Sequence, residues 1–280
     1  MSTSVITFVC PDGPGIVHSI SGAIVGCDGN ITESQQYSSL DTGMFFQRIE
    51  VETAVSSDEF DAALNPVAER FGGTLTIDEV GRQVRTLVLT SSAPHALSAL
   101  LSRQRQGVLP IDVRMVMGNH EELRPLAEFY DTPFEHIIVT PETKAAIEDR
   151  IREVVETHDI ELVVLARYMQ ILSPELCEFL QARAINIHHS FLPGFKGANP
   201  YKQAHQRGVK LIGATAHFVT ADLDEGPIIE QSVVPVNHAK TANQLRDIGR
   251  DIESTTLTHA VRLFAEHRIL LDGQRTVIFD

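Results

Sequence analysis

The 280-residue chain is poor in basic side chains and in cysteine. Lysine and arginine number 23 against 37 aspartates and glutamates, for a formal charge of −14. A general nucleic-acid binder needs a basic face to neutralise phosphates, so that class is excluded. A small anionic substrate is not, because it needs only a few local cations. The three cysteines, Cys10, Cys27 and Cys177, are odd in number and have no paired spacing. They point to a reduced, cytoplasmic setting rather than a disulfide framework. No apolar run reaches the roughly 18 residues of a membrane span. The N-terminal segment has no basic start and contains Pro11, Asp12 and Pro14, unlike a signal peptide. Internal repeats and low-complexity tracts are missing too. What is present is 43% hydrophobic content, enough for one or two domains with substantial cores.

Residues 1–83 are expected to form one domain. Val5 to Val9 predicts a strand, ended by Pro11-Asp12-Gly13-Pro14-Gly15. Ile16, Ile20, Ala23, Ile24 and Cys27 recur at helical spacing. Ile31 to Leu40 and Met44 to Glu52 predict two strands joined by Asp41-Thr42-Gly43, a hairpin signal. Phe60, Leu64, Val67, Ala68 and Phe71 predict a second helix, and Thr74 to Val80 a last strand. The order β-α-β-β-α-β is the ferredoxin-like plan. Residues 84–280 read as a second domain. Apolar strands at 85–90, 111–117, 136–139 and 162–166 alternate with helical patterns at 96–101, 121–130 and from Pro141 through Val155. Ser173 is expected to cap a helix from Pro174. Such alternation predicts a Rossmann-like, doubly wound and largely parallel sheet. Thr241 to His267 predicts a long helix with Leu245, Ile248, Ile252, Leu257, Val261 and Phe264 on its apolar face.

Polar residues gather where two apolar strands stop. Ala184 to Ile187 runs into His188-His189-Ser190, with Asn186 inside it. Leu211 to Val219 contains His217 and is followed by Asp222, Asp224 and Glu225. Open α/β sheets place ligands at the carboxyl ends of strands. Asparagine can donate to a developing oxyanion, histidine can donate or relay a proton, and aspartate can take one from a nucleophile. On their own these residues suggest only acyl transfer. Asn186 could merely cap a loop, the lesser reading. His217 could be a satisfied core histidine. Glu225-Gly226-Pro227 could simply shape a turn. No His-x-x-x-His pair suggests a metal.

Longer motifs carry a resemblance. Cys10-Pro11-Asp12-Gly13-Pro14-Gly15-Ile16 resembles the opening of an ACT domain. Asn186-Ile187-His188 with Ser190, Leu192-Pro193 and Lys196-Gly197, then Gly213-Ala214-Thr215-Ala216-His217-Phe218-Val219 and Asp224-Glu225-Gly226-Pro227, resemble the formyltransferase catalytic domain. Together with Gly118-Asn119-His120 and Phe134-Glu135-His136, the chain resembles the formyltetrahydrofolate deformylases over essentially its whole length.

The resemblance implies hydrolysis of 10-formyltetrahydrofolate to tetrahydrofolate and formate, which can feed purine synthesis, with no cofactor beyond the folate substrate and no metal. It implies catalytic roles for Asn186, His188 and Asp224. Asn186 and His188 would donate to the formyl oxygen, and Asp224 would orient or deprotonate water. The work of His188, as acid or as electrostatic donor, stays open. His189 and His217 would support, and His189 should point to the other side of an extended chain from His188. Arg167, Met169, Leu172, Glu225 and Gly226 would contact the folate, with Arg167, Lys196 or Lys202 near its glutamate tail. Gly13, Gly15 and Asn30 would meet an amino-acid effector such as glycine or methionine in a homo-oligomer.

An amine-dependent formyltransferase using the same donor is the alternative. The ribonucleotide branch carries a glycine-rich phosphate loop after its first strand. Here Ser91-Ser92-Ala93-Pro94-His95 stands in that place, and no basic, RNA-binding extension follows the long helix. Water is therefore the expected acceptor. A second alternative is a catalytically silent sensor on the same scaffold.

Overall fold

The computed structural model describes residues 2–192 and 200–280. The chain divides into two compact units, Met1–Arg82 with Glu266–Asp280, and Gln83–Ala265. In the first unit, β1 (Ser2–Pro11), α1 (Ile16–Gly26), β2 (Asn30–Ser38), β3 (Met44–Thr53), α2 (Ser57–Phe71) and β4 (Thr74–Glu79) follow in the expected order. The four strands form an antiparallel sheet ordered β2-β3-β1-β4. Its core joins Ile6 and Phe8 of β1 to Ile16, Ile20 and Ile24 of α1 and Phe60 and Leu64 of α2. Three- and four-residue spacings put each helical set on one face, and alternation does the same for β1. The entry to α2 is a capping box: the Ser56 hydroxyl accepts from Glu59 N, and the Glu59 carboxylate accepts from Ser56 N at 3.0 Å.

The tail departs from the expected boundary, which ran the second domain to residue 280. Residues 266–280 belong to the first unit, where β12 (Ile269–Asp272) and β13 (Arg275–Ile278) form a hairpin. The attachment is polar. Asp272 accepts from Ser39 Oγ at 2.8 Å and Thr42 Oγ1 at 2.6 Å, and His267 Nε2 lies 2.8 Å from Asp78 Oδ2. Burial opposes ionisation of Asp78, but hydrogen bonds from His267 and Arg82 outweigh it and hold its carboxyl well below the usual carboxylate range. Such pairing leaves no trace in hydrophobic periodicity.

The second unit contains β5 (Val84–Thr90), α3 (Pro94–Arg105), β6 (Ile111–Gly118), α4 (Arg124–Phe129), β7 (Phe134–His136), α5 (Lys144–Thr157), β8 (Leu162–Ala166), α6 (Pro174–Phe179), β9 (Ala184–His188), α7 (Pro200–Arg207), β10 (Leu211–Phe218), β11 (Ile228–Pro235) and α8 (Ala242–Ala265). Seven strands are ordered β11-β10-β9-β8-β5-β6-β7. From β9 to β7 they run parallel; β10 is antiparallel to β9, and β11 to β10. β8 is buried at every position, as a strand covered on both faces must be. Ser173 caps α6 by accepting from Leu176 N at 3.2 Å. Pro141 does not open α5: Thr140 and Thr143 hydrogen-bond each other's backbone first, and the helix starts at Lys144.

Candidate active site

All the residues of this site lie in the second unit. Asn186 and His188 are two apart on β9, so their side chains share a face. The antiparallel register sets His217 of β10 opposite Asn186, and Thr215 opposite His188. Directly opposed residues also share a face. Strand geometry alone therefore gathers these four side chains. Asn186 sits inside the strand rather than at its end. The rule that ligands meet carboxyl ends holds for β8 and β9, and His217 and Asp224 stand at and just beyond the carboxyl end of β10 as well.

His217 Nδ1 lies 2.8 Å from Phe218 O, so it carries the proton and donates. In the neutral ring Nε2 then accepts from Asn186 Nδ2, 3.2 Å away. The second N–H of that amide remains available. Asp224 follows β10 in a loop and has φ 58°, in the left-handed region. Its Oδ2 lies 3.2 Å from His188 Nδ1 and its Oδ1 3.7 Å from His217 Nε2. The hydrogen bond from His188, joined by His217 when its ring is protonated, outweighs burial and holds the Asp224 carboxyl well below the usual range. The carboxylate is thus ionised wherever the protein is folded near neutrality. His188 is buried, and its Nε2 has no partner among the described residues.

Thr215 supports the site in a way that its residue type gave no sign of. Its hydroxyl donates to Ser190 O at 2.9 Å and accepts from Leu192 N at 3.1 Å, clamping the segment after His189. His189 itself departs from expectation. Its ring stacks on that of His188, with centroids 4.8 Å apart and planes 21° apart, because the chain leaves the extended conformation after His188.

A second polar cluster faces this one. Glu253 of α8 is 1% exposed. His95 Nε2 lies 2.8 Å from its Oε2, Tyr201 OH donates to Oε1 at 2.5 Å, and Arg167 Nε lies 3.5 Å away. Burial raises the Glu253 pKa, but His95, Arg167 and Tyr201 outweigh it and keep the pKa below the ordinary value. Gly249 makes room for this contact, since a Cβ there would meet the Tyr201 hydroxyl at 2.0 Å. Sequence signals existed. Leu245, Gly249, Glu253, Thr256 and Leu257 form the buried stripe of α8, so a carboxylate stands on an apolar face.

The two clusters line one cavity of about 580 Å³, together with Arg167, Met169, Leu172, Cys177 and Lys202. Met169 is exposed and Leu172 buried. Glu225 and Gly226 are not among its lining residues. Glu225 is exposed, and Gly226 serves a close backbone approach: a Cβ there would meet Phe218 O at 1.8 Å. Lys196 lies outside the described residues. In the first unit, Gly15 caps α1 at φ 89°, Gly13 precedes it with open space around it, and Asn30 starts β2.

The site can stabilise a developing oxyanion and move a proton on water or an amine. Comparison with known proteins narrows this. A formyl transferase family model matches residues 84–261. The formyltetrahydrofolate deformylase of Corynebacterium sp. (strain P-1) is 44% identical over 98% of this chain and 97% of its own. The crystal structure of formyltetrahydrofolate deformylase from Burkholderia mallei matches with a TM-score of 0.97 at 45% identity, covering 100% of both chains. Glycinamide ribonucleotide transformylase 1 from Symbiobacterium toebii matches with a TM-score of 0.67 at 34% identity, covering 72% of this chain and 97% of its own. The deformylase likeness therefore includes both units, and the chain belongs to the formyltetrahydrofolate deformylase family.

Proposed function

We propose that this chain hydrolyses 10-formyltetrahydrofolate to tetrahydrofolate and formate with no cofactor beyond the folate itself, and that the formate feeds purine synthesis. The full-length likeness to formyltetrahydrofolate deformylases carries the reading. The substrate's formyl group is an amide-like carbonyl of low reactivity. Asn186, through its second N–H, and His188 donate to its oxygen as that oxygen becomes negative. Asp224, ionised, orients a water and takes one of its protons as the water oxygen bonds to the formyl carbon. When the carbon–nitrogen bond breaks, that proton goes to the leaving nitrogen. The other proton departs with formic acid, which ionises. The pterin and aminobenzoyl rings lie along Met169 and Leu172, with Arg167 or Lys202 toward the glutamate tail.

The N-terminal unit is assigned to regulation by an amino acid such as glycine or methionine in a homo-oligomer. The first turn of α1 has no side-chain cap, and Gly13 and Gly15 leave its approach open. A ligand carboxylate suits such a helix start. Among the described residues no helix is long and apolar enough to cross a membrane.

The deciding assay is formate release by purified enzyme without added amine. Strict dependence on an amine would establish a transferase instead. Asp224→Asn is expected to cut turnover by about 10³-fold or more while folate binding, measured by titration, is retained. Unchanged formate release would reject the role given to Asp224.

A further inference from the structure

The two stacked imidazoles are wired to opposite charges. His188 presents Nδ1 to the Asp224 carboxylate. His189 presents Nδ1 to Arg167 Nη1, 2.7 Å away. A guanidinium can only donate, so His189 Nδ1 must accept. The ring is then neutral, with its proton on Nε2. That nitrogen is buried, has no partner among the described residues, and belongs to a ring lining the cavity. A buried N–H without an acceptor is unfavourable unless something arrives to accept it.

Arg167 is held in place against its local preference. Its φ is 62°, in the left-handed region that disfavours side chains other than glycine. Strain of this kind persists only where the surroundings over-determine it. Here the surroundings are His189 on one side and Glu253 on the other, itself anchored by His95 and Tyr201.

A water attacking a carbonyl carbon uses one lone pair for the new bond and gives one proton to the base. Its second lone pair is left to accept a hydrogen bond. We propose that His189 Nε2–H donates to that lone pair and fixes the attacking water, and that Arg167 and Glu253 are positioning residues that hold His189 in the donating tautomer. This rests on the hydrolytic reading above. Bonds balance as before: the water oxygen joins the formyl carbon, its proton leaves to Asp224, and His189 keeps its own proton throughout.

The electrostatics agree. Burial first, then the charges of Arg167 and His188, push the His189 pKa down to about 4, against a smaller pull from Glu253 and Asp224. Titratable and charged groups reach the same cavity from α3 (His95), α7 (Tyr201 and Lys202) and α8 (Arg246 and Arg250). A ring that stays neutral can stand beside His188 in either protonation state without adding a second charge.

The test compares His189→Leu, His189→Gln and Arg167→Gly with the wild type in the formate-release assay, with folding checked by circular dichroism at the assay temperature. His189→Leu removes the donor and is expected to lower kcat about 100-fold with little change in the folate KM. His189→Gln offers an amide N–H in nearly the same place and should recover most of that loss. Arg167→Gly suits the left-handed backbone and frees His189 to titrate. With the His189 proton free to move to Nδ1, the variant's kcat should fall at neutral pH and recover as the pH is lowered, because a doubly protonated ring again carries the Nε2–H donor. Wild-type kcat in His189→Leu, no recovery in folded His189→Gln, or wild-type kcat at neutral pH in Arg167→Gly overturns the proposal. If His189→Leu does not fold, the Arg167→Gly profile decides. A wild type that releases no formate overturns the hydrolytic reading and this inference together. Formate release that Asp224→Asn abolishes and His189→Leu leaves intact overturns the inference alone.

Discussion

Arg48 in the first unit and Arg167 in the second are both guanidiniums withdrawn from water, and their surroundings separate two uses of one group. Arg48 has a side chain 2% exposed and answers Glu33 at 3.0 Å, Glu50 at 2.6 Å and Glu266 O at 3.1 Å. Its partners come from β2, β3 and the tail, and the arrangement ends in itself. Arg167 also has a buried carboxylate, but its other partner is a histidine of the cavity wall whose far nitrogen is buried and has no partner among the described residues. A closed set of partners fixes a fold. A set that ends on an unanswered donor awaits a ligand.

Three measurements sharpen or break that contrast. The largest effect belongs to the unanswered side: Asn186→Ala should lower kcat by about 10² to 10³-fold, or about 2.7–4 kcal/mol in barrier, measured in the formate-release assay. A smaller loss would mean that the amide serves His217 rather than the reaction. Next, Arg48→Met should cost about 3 kcal/mol of stability in thermal or urea unfolding, because Glu50 loses its cation and Glu33 keeps only Arg268 and Gln35. Its kcat per folded molecule should match the wild type, and a lowered kcat would contradict a purely structural role. The smallest effect concerns pH. Unfolded His189 binds a proton near its ordinary value of 6.5, and folded His189 only near 4. The unfolded state therefore binds more protons as pH falls between these values, and the folded state loses ground. At pH 5.5 the loss is about 1.4 kcal/mol, and it vanishes a unit above the unfolded value. Wild-type Tm should drop more than that of His189→Gln between pH 7.5 and 5.5. Parallel drops would refute the depressed pKa.

The elements that bury an apolar stripe or an alternating face could be read from residues alone, which is why β1 through β5, β8 and α1 have their expected places. Elements held by polar partners could not. The β12–β13 hairpin hangs on Asp272 and His267, and β11 lies at a sheet edge where alternation is blurred. The site shows the same division. Asn186, His188, His217 and Asp224 stand close together in sequence, and the structure brings them within hydrogen-bonding or ion-pair reach of one another. The stacking of His189 on His188 could not be seen, because it depends on where the strand ends. Glu253 left one sign only, a carboxylate standing in the apolar stripe of α8. His95 was legible only as part of a loop lacking glycines, with no hint of its carboxylate partner.

The separation between His95 and Glu253 has a consequence for the order in which the site comes into being. They are 158 positions apart, whereas the Asn186–Asp224 side is drawn from one pair of adjacent strands and the loop that follows. Contacts of such long separation close late, after the loop entropy of the intervening chain has been overcome. During synthesis, a chain halted before α8 emerges can build the face with the carboxylate of Asp224 but not the one with Glu253. The last helix of its unit to be made therefore completes the cavity.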